Sequence, residues 1–239
     1  AFQGRKTVMK PVARIRSVFP AVSVRALAVA LVSLHLALPA AAVSLDDLLN
    51  AAKLGDSAEV AQLVARGMDP NSTDQSGNTL LILAAREDQP AVVAELVKQR
   101  GIKLDARNAA GDSALMLASL RGHAGVVDQL LKAGAAFDHE GWNPLLYAAF
   151  EGRAAIVGLL LDKGANIDTL APNRSTPLMF AARNGHGEVV ARLLKAGANL
   201  DLANDQKETA ESWAVKYRNT DIAGMIQAER KARAARGNQ

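Results

Sequence analysis

Apolar residues in this chain fall into paired short runs that return about every 33 residues. The first run of a block carries an alanine pair: Ala84-Ala85, Ala148-Ala149 and Ala181-Ala182. The second carries a β-branched pair and then a larger aliphatic pair: Val92-Val93 with Leu96-Val97, Val126-Val127 with Leu130-Leu131, Ile156-Val157 with Leu159-Leu160, and Val189-Val190 with Leu193-Leu194. Apolar residues three and four apart share one face of a helix, so each block predicts two short helices. The alanines let neighbouring helices approach closely, and the larger pairs form the inner face of the second helix.

Polar signals frame these runs. Helix starts fall at Thr79, Ser113, Asn143, Thr176 and Thr209, separated by 34, 30, 33 and 33 residues. Each has a side-chain oxygen that can accept from a free N–H of the first turn. Pro144 and Pro177 follow two of them, at the helical position where a missing donor costs nothing. Gly67, Gly101, Gly134, Gly164 and Gly197 close the second helices and are predicted to take the left-handed conformation. Beyond them, Met68-Asp69, Leu104-Asp105, Phe137-Asp138, Ile167-Asp168 and Leu200-Asp201 read as an extended arm entering a turn. Two short helices cannot bury their own apolar faces, so the blocks must stack into a solenoid, which offers a long exposed face in place of a closed catalytic pocket.

The recurring Thr-Pro-Leu, Ala-Ala, Gly-His, Val-Val, Leu-Leu and Gly-Ala resemble the ankyrin repeat. The resemblance covers roughly residues 45–227 and is fullest in 175–201. It is weaker in 77–105, where Glu87-Asp88-Gln89-Pro90 replaces Gly-His, and at the ends, where Glu211 stands in place of Leu. Such departures suit terminal units with one face to water. The expected architecture is therefore an all-α ankyrin-repeat solenoid of about six helix-turn-helix units with short β-hairpin turns. The units run at about 44–73, 74–107, 108–138, 139–170, 171–203 and 204–228, within a domain at 43–228.

The first 42 residues hold six Lys or Arg and no acid. An apolar stretch at 26–38 is followed by Pro39 and Ala40-Ala41-Ala42, the order of a Sec-type signal peptide cleaved after Ala42. Its 13 apolar residues fall short of the roughly 20 that span a bilayer. The start Met9-Lys10 would make 1–8 an upstream extension. Without the leader, 22 bases face 24 acids; without the basic tail at 229–239 as well, the repeat body holds 18 against 23. The sequence pI of 9.5 thus belongs to the ends, and the concentrated positive face that nucleic acid requires is not expected. The tail, with Arg230, Lys231, Arg233 and Arg236, reads as a frayed, solvated helix end. With no cysteine, disulfides are excluded and packing between units must supply stability.

Catalytic signatures are sparse. Among His123, His139 and His186, two follow the glycine of the helix–helix turn, where the resemblance implies a structural hydrogen bond. No phosphate loop, nucleophile elbow or zinc-binding helix motif occurs, and no metal or cofactor is expected. The resemblance also implies that partners meet the turn tips and the groove side of the first helices. It places Arg86, Leu120, Phe150, Arg183 and Lys216 there, followed by Glu87, Arg121, Glu151, Asn184 and Tyr217. Leu120 and Phe150 should form an apolar patch bounded by Arg86 and Arg183. Trp142 precedes a helix start in an arm three residues shorter than the next, and either joins that patch as a binding hot spot or folds down over the shortened finger. Tyr147 and Trp213 are expected to pack between units.

The expected function is non-enzymatic protein binding by a monomeric exported bacterial protein, periplasmic or secreted. Its binding residues are Arg86, Leu120, Arg121, Trp142, Phe150, Glu151, Arg183 and Asn184, and it possibly regulates or stabilises an exported enzyme. The alternatives are an inner-membrane scaffold held by an uncleaved leader, and an enzyme using scattered carboxylates.

Overall fold

Every first helix begins where its polar signal falls. Thr79 Oγ1 accepts from Ile82 N, Ser113 Oγ from Met116 N, Asn143 Oδ1 from Leu146 N, Thr176 Oγ1 from Met179 N and Thr209 Oγ1 from Ser212 N. The computed structural model describes residues 44–237, so the leader, its cleavage point and the upstream extension expected at 1–42 lie outside the described residues. Twelve helices occur among those described, in six consecutive pairs. They are α1 Leu45–Leu54 with α2 Ser57–Ala65, α3 Leu80–Arg86 with α4 Pro90–Leu96, and α5 Ala114–Arg121 with α6 Ala124–Lys132. Then follow α7 Pro144–Phe150 with α8 Ala154–Asp162, α9 Pro177–Asn184 with α10 Gly187–Lys195, and α11 Ala210–Lys216 with α12 Thr220–Gly237.

First helices pack on first helices and second on second from each pair to the next, which makes the core one continuous layer. Ala84, Ala85, Ala118, Ala148, Ala149, Ala181, Ala182 and Ala214 are wholly buried. No larger residue fits where two helix backbones meet this closely. The β-branched pairs of the second helices are all buried, while Val97 and Leu159 are only partly so. The five closing glycines have φ between 80° and 100°, the left-handed region that a Cβ disfavours.

The turns contain less strand than a row of β-hairpins would. One antiparallel bridge, Thr73 to Thr79, occurs among the described residues. Elsewhere each finger is closed by a backbone bond across its tip, from Asp74 N to Asn78 O, Asn108 N to Asp112 O, Ala171 N to Ser175 O and Asn204 N to Glu208 O. The shortened fourth finger lacks that bond, and Asn143 Nδ2 donates to His139 O instead, at 3.4 Å.

The C-terminal segment departs from the sequence reading. It continues α12 to Gly237 and is tied to the preceding pair rather than frayed. Arg233 Nη1 donates to Ala198 O (2.8 Å) and Nη2 to Leu194 O (3.2 Å), and Arg230 pairs with Asp201 and Glu211. The cause lies in the finger aspartates. Asp105 accepts from Ala136 N of the next unit, Asp138 from Asn166 N and Asp168 from Asn199 N. Asp201 has no following unit, and the Arg230 guanidinium takes the place of that backbone donor.

Candidate partner-binding surface

The last turns of the first helices are pinned by a bond repeated at every junction. Lys53 O accepts from Gln89 Nε2 (3.1 Å), Arg86 O from His123 Nε2 (3.1 Å) and Leu120 O from Arg153 Nε (3.2 Å). Phe150 O accepts from His186 Nε2 (2.9 Å) and Arg183 O from Asn219 Nδ2 (2.9 Å). The two histidines after a turn glycine are thereby structural. Where Glu87-Asp88-Gln89 replaces Gly-His, Asp88 itself takes the left-handed conformation (φ 54°) and Gln89 does the histidine's work. Backbone atoms of Lys53, Arg86, Leu120, Phe150 and Arg183 are thus held in equivalent places, and their side chains line one edge of the stack.

Aromatic residues fill the middle and C-terminal part of this edge. Trp142 is half-buried rather than exposed. Its ring stacks on Tyr147 (5.1 Å) and Phe180 (5.2 Å) and meets Phe150 edge-on (6.0 Å). Phe180 continues to Trp213 (5.9 Å), and Trp213 to Tyr217 (6.3 Å). Trp213 is buried and Tyr147 partly so, which fits packing between units. The Tyr147 hydroxyl donates to Asp112 of the preceding finger (2.8 Å), and burial, then that hydrogen bond and the carboxylate's charge, push the phenol up to about 12.

The other predicted site residues separate into outward and inward groups. Arg121 is exposed; Arg86, Leu120, Phe150, Glu151 and Arg183 are half-buried. Arg86 pairs with Glu87 (2.8 Å) and Glu151 lies 3.8 Å from Arg153. Arg183 lies over the rings of Tyr217 (5.0 Å) and Trp213 (5.5 Å). Asn184 is drawn inward, its amide donating to Phe150 O at 2.8 Å, so it ties two units together instead of facing a partner. Sequence reasoning missed Glu208, which accepts from Lys216, Trp213 and Asn204; those bonds hold its carboxyl down at about 2. Its signal was faint, because Trp213 and Lys216 lie five and eight residues away and meet it only where the last finger folds over α11.

A recess beside the fourth finger is lined by Asp138, His139, Glu140, Asp168 and Arg174 among others, but Asp138 and Asp168 already accept backbone N–H groups. Among the described residues no group of three or more His, Cys, Asp or Glu is arranged to hold a metal ion, and no helix is long and apolar enough to cross a membrane.

Helix pairs stacked in one register define a helical-repeat solenoid. The family model of ankyrin repeats matches three times, over residues 48–139, 101–171 and 167–234, and the chain belongs to the ankyrin-repeat family. It is 37% identical over 93 residues to NF-kappa-B inhibitor alpha from Sus scrofa, a match spanning 36% of this chain and 30% of that protein. Among solved structures it resembles the human ASB11 ankyrin repeat domain, with a TM-score of 0.70 and 25% identity over 76% of this chain and 82% of that one. It also resembles a chain in the structure of a predatory endopeptidase from Bdellovibrio bacteriovorus in complex with an immunity protein. There the TM-score is 0.67 and the identity 29%, over 76% of this chain and 96% of that one.

Proposed function

We propose that this chain is a non-enzymatic binding module, exported by a bacterium, that holds another exported protein against the edge formed by its first helices. The observation that carries the reading is the half-buried set Leu120, Trp142 and Phe150 on that edge. Each is anchored by packing yet keeps surface to offer, and such preorganised aromatic and aliphatic anchors concentrate binding energy once a partner excludes water. An exported enzyme as partner is supported by the likeness to a chain of the endopeptidase–immunity protein complex. Export is supported by the basic, apolar and small-residue order of residues 1–42. With nearly all finger and turn polar groups engaged in ties within and between units, the mechanism is complementarity and not bond chemistry.

The reading is tested by sequencing the N-terminus of the accumulated protein and by cross-linking from a photoreactive residue at position 121 in living cells. A start near Val43 with a cross-linked exported protein is expected. A start at Met9, or no cross-linked protein, overturns the exported or the binding part respectively.

A further inference from the structure

The edge has a charge pattern opposite to that of the body around it. In the register fixed by the junction bonds, Lys53, Arg86, Leu120, Phe150, Arg183 and Lys216 are equivalent. Two cations therefore stand on each side of an apolar pair, and Arg121 follows Leu120 directly. Counting the next position of each unit as well, the edge holds five bases and two acids, whereas the repeat body as a whole has 18 bases and 23 acids. Both acids are already engaged, Glu87 with Arg86 and Glu151 with Arg153. Lys53, Arg121 and Arg183 pair with no carboxylate among the described residues.

A local cause accounts for part of this. Bases end α1, α3, α5, α9 and α11, where a cation is favoured by the helix dipole. That preference acts within one helix; stacking aligns the results into a row. Helices packed about 8–10 Å apart put Arg86 and Arg183 about 24–30 Å from each other across three steps, the reach of about eight extended residues.

We propose, resting on the binding reading above, that the partner is an acidic protein which seats an apolar side chain against Leu120, Trp142 and Phe150 and sets carboxylates on both sides of it. Carboxylates on one flank meet Arg86 and Lys53, and on the other Arg183. Arg121 is the most exposed of the cations near the centre and steers the approach.

The test uses the purified chain and three twelve-residue peptides: a Trp-Leu centre flanked by glutamates, the same centre flanked by lysines, and a Gly-Gly centre flanked by glutamates. The first is expected to bind saturably, and the other two at least about tenfold more weakly. Raising salt from about 50 to 500 mM should weaken the first by a similar factor, because exposed charges are screened. Arg121→Glu and Arg183→Glu should each cost about tenfold, and Lys163→Glu, at the end of α8, should not. Equal binding of the lysine peptide, or affinity indifferent to both charge reversals, overturns the proposal. So does a cross-linked partner from position 121 whose contact segment is neutral or basic, and that result leaves the binding reading standing. Absence of any cross-linked protein sinks the binding reading instead.

Discussion

Three residues ahead of the pinned last-turn position, α3 and α5 carry Leu83 and Leu117, whereas α7, α9 and α11 carry Tyr147, Phe180 and Trp213. The backbone register is the same, but the aliphatic side chains fill space within the layer and the rings reach across junctions. Trp142 and Phe150 of one unit both touch Phe180 of the next, and Phe180 touches Trp213 of the one after. In a linear array stability divides into the units and their nearest-neighbour interfaces. The comparison therefore teaches that the C-terminal half puts more of its stability into its interfaces, with ring pairs adding about 0.5–1.5 kcal/mol beyond area burial.

The largest effect that would break this contrast is expected at the hub of the rings. Phe180→Ala should cost about 3–5 kcal/mol and collapse the near-ultraviolet circular dichroism of the aromatic set. Leu83→Ala should cost about 2–4 kcal/mol with that signal intact. Chemical denaturation followed by both signals separates them; loss of the aromatic signal in the Leu83 variant would refute independent halves.

Next comes the helix–helix turn. Gly152 has φ 72°, and a Cβ there would lie 2.6 Å from His186 Nδ1; Gly111 has φ 86° with open space around it. Both alanine variants meet the left-handed penalty of about 1–2 kcal/mol. Only Gly152→Ala should displace His186 from Phe150 O as well, adding about 1–2 kcal/mol for the lost buried bond. Calorimetric midpoints for the two variants measure the difference, and equal midpoints would show that the junction bond contributes nothing.

A smaller effect is expected at the C-terminal end. Arg233→Ala should cost about 1–2 kcal/mol, by releasing two carbonyl acceptors, and hydrogen exchange should quicken in α10 and α12 but not in α3. Arg183→Ala should cost only about 0.5–1 kcal/mol, the worth of a partly exposed cation over rings. Unchanged exchange in α12 of the Arg233 variant would restore the solvated tail.

The pH dependence sharpens the contrast without a large energy. Glu208 titrates at about 2 in the folded chain against an ordinary 4.5, so its ionised form favours folding. That contribution is complete above pH 4.5 and is lost as pH falls toward 2. The stability gap between the natural chain and Glu208→Gln should therefore close across that window, with Trp213 fluorescence following it. A gap unchanged at pH 2 would remove Glu208 from the last junction.

Much of the fold was legible because its determinants are local. The N-caps from Thr79 to Thr209 and the five closing glycines act within a few residues, and they fell where their types required. The site was half legible. The register that places Arg86, Leu120, Phe150 and Arg183 in one row follows from counting along the repeat. The inward turn of Asn184, the engagement of Glu208 and the burial of Trp142 did not, because each depends on a group about 5–35 residues away whose position exists only after stacking. The C-terminal helix was misread for the same reason. Arg230 and Arg233 look solvated beside Ala232 and Ala234, and nothing nearby in sequence announces that Asp201 and the Ala198 carbonyl lack partners.

By itself the sequence determined the period, the helix ends and the identity of the buried faces, since caps, left-handed glycines and apolar spacing are decided by neighbours along the chain. Tertiary structure alone decided which polar groups remain free. A donor or acceptor at one junction is satisfied by the unit above or below it, and only the assembled stack shows that Asn184 is engaged while Arg121 and Arg183 still await a carboxylate.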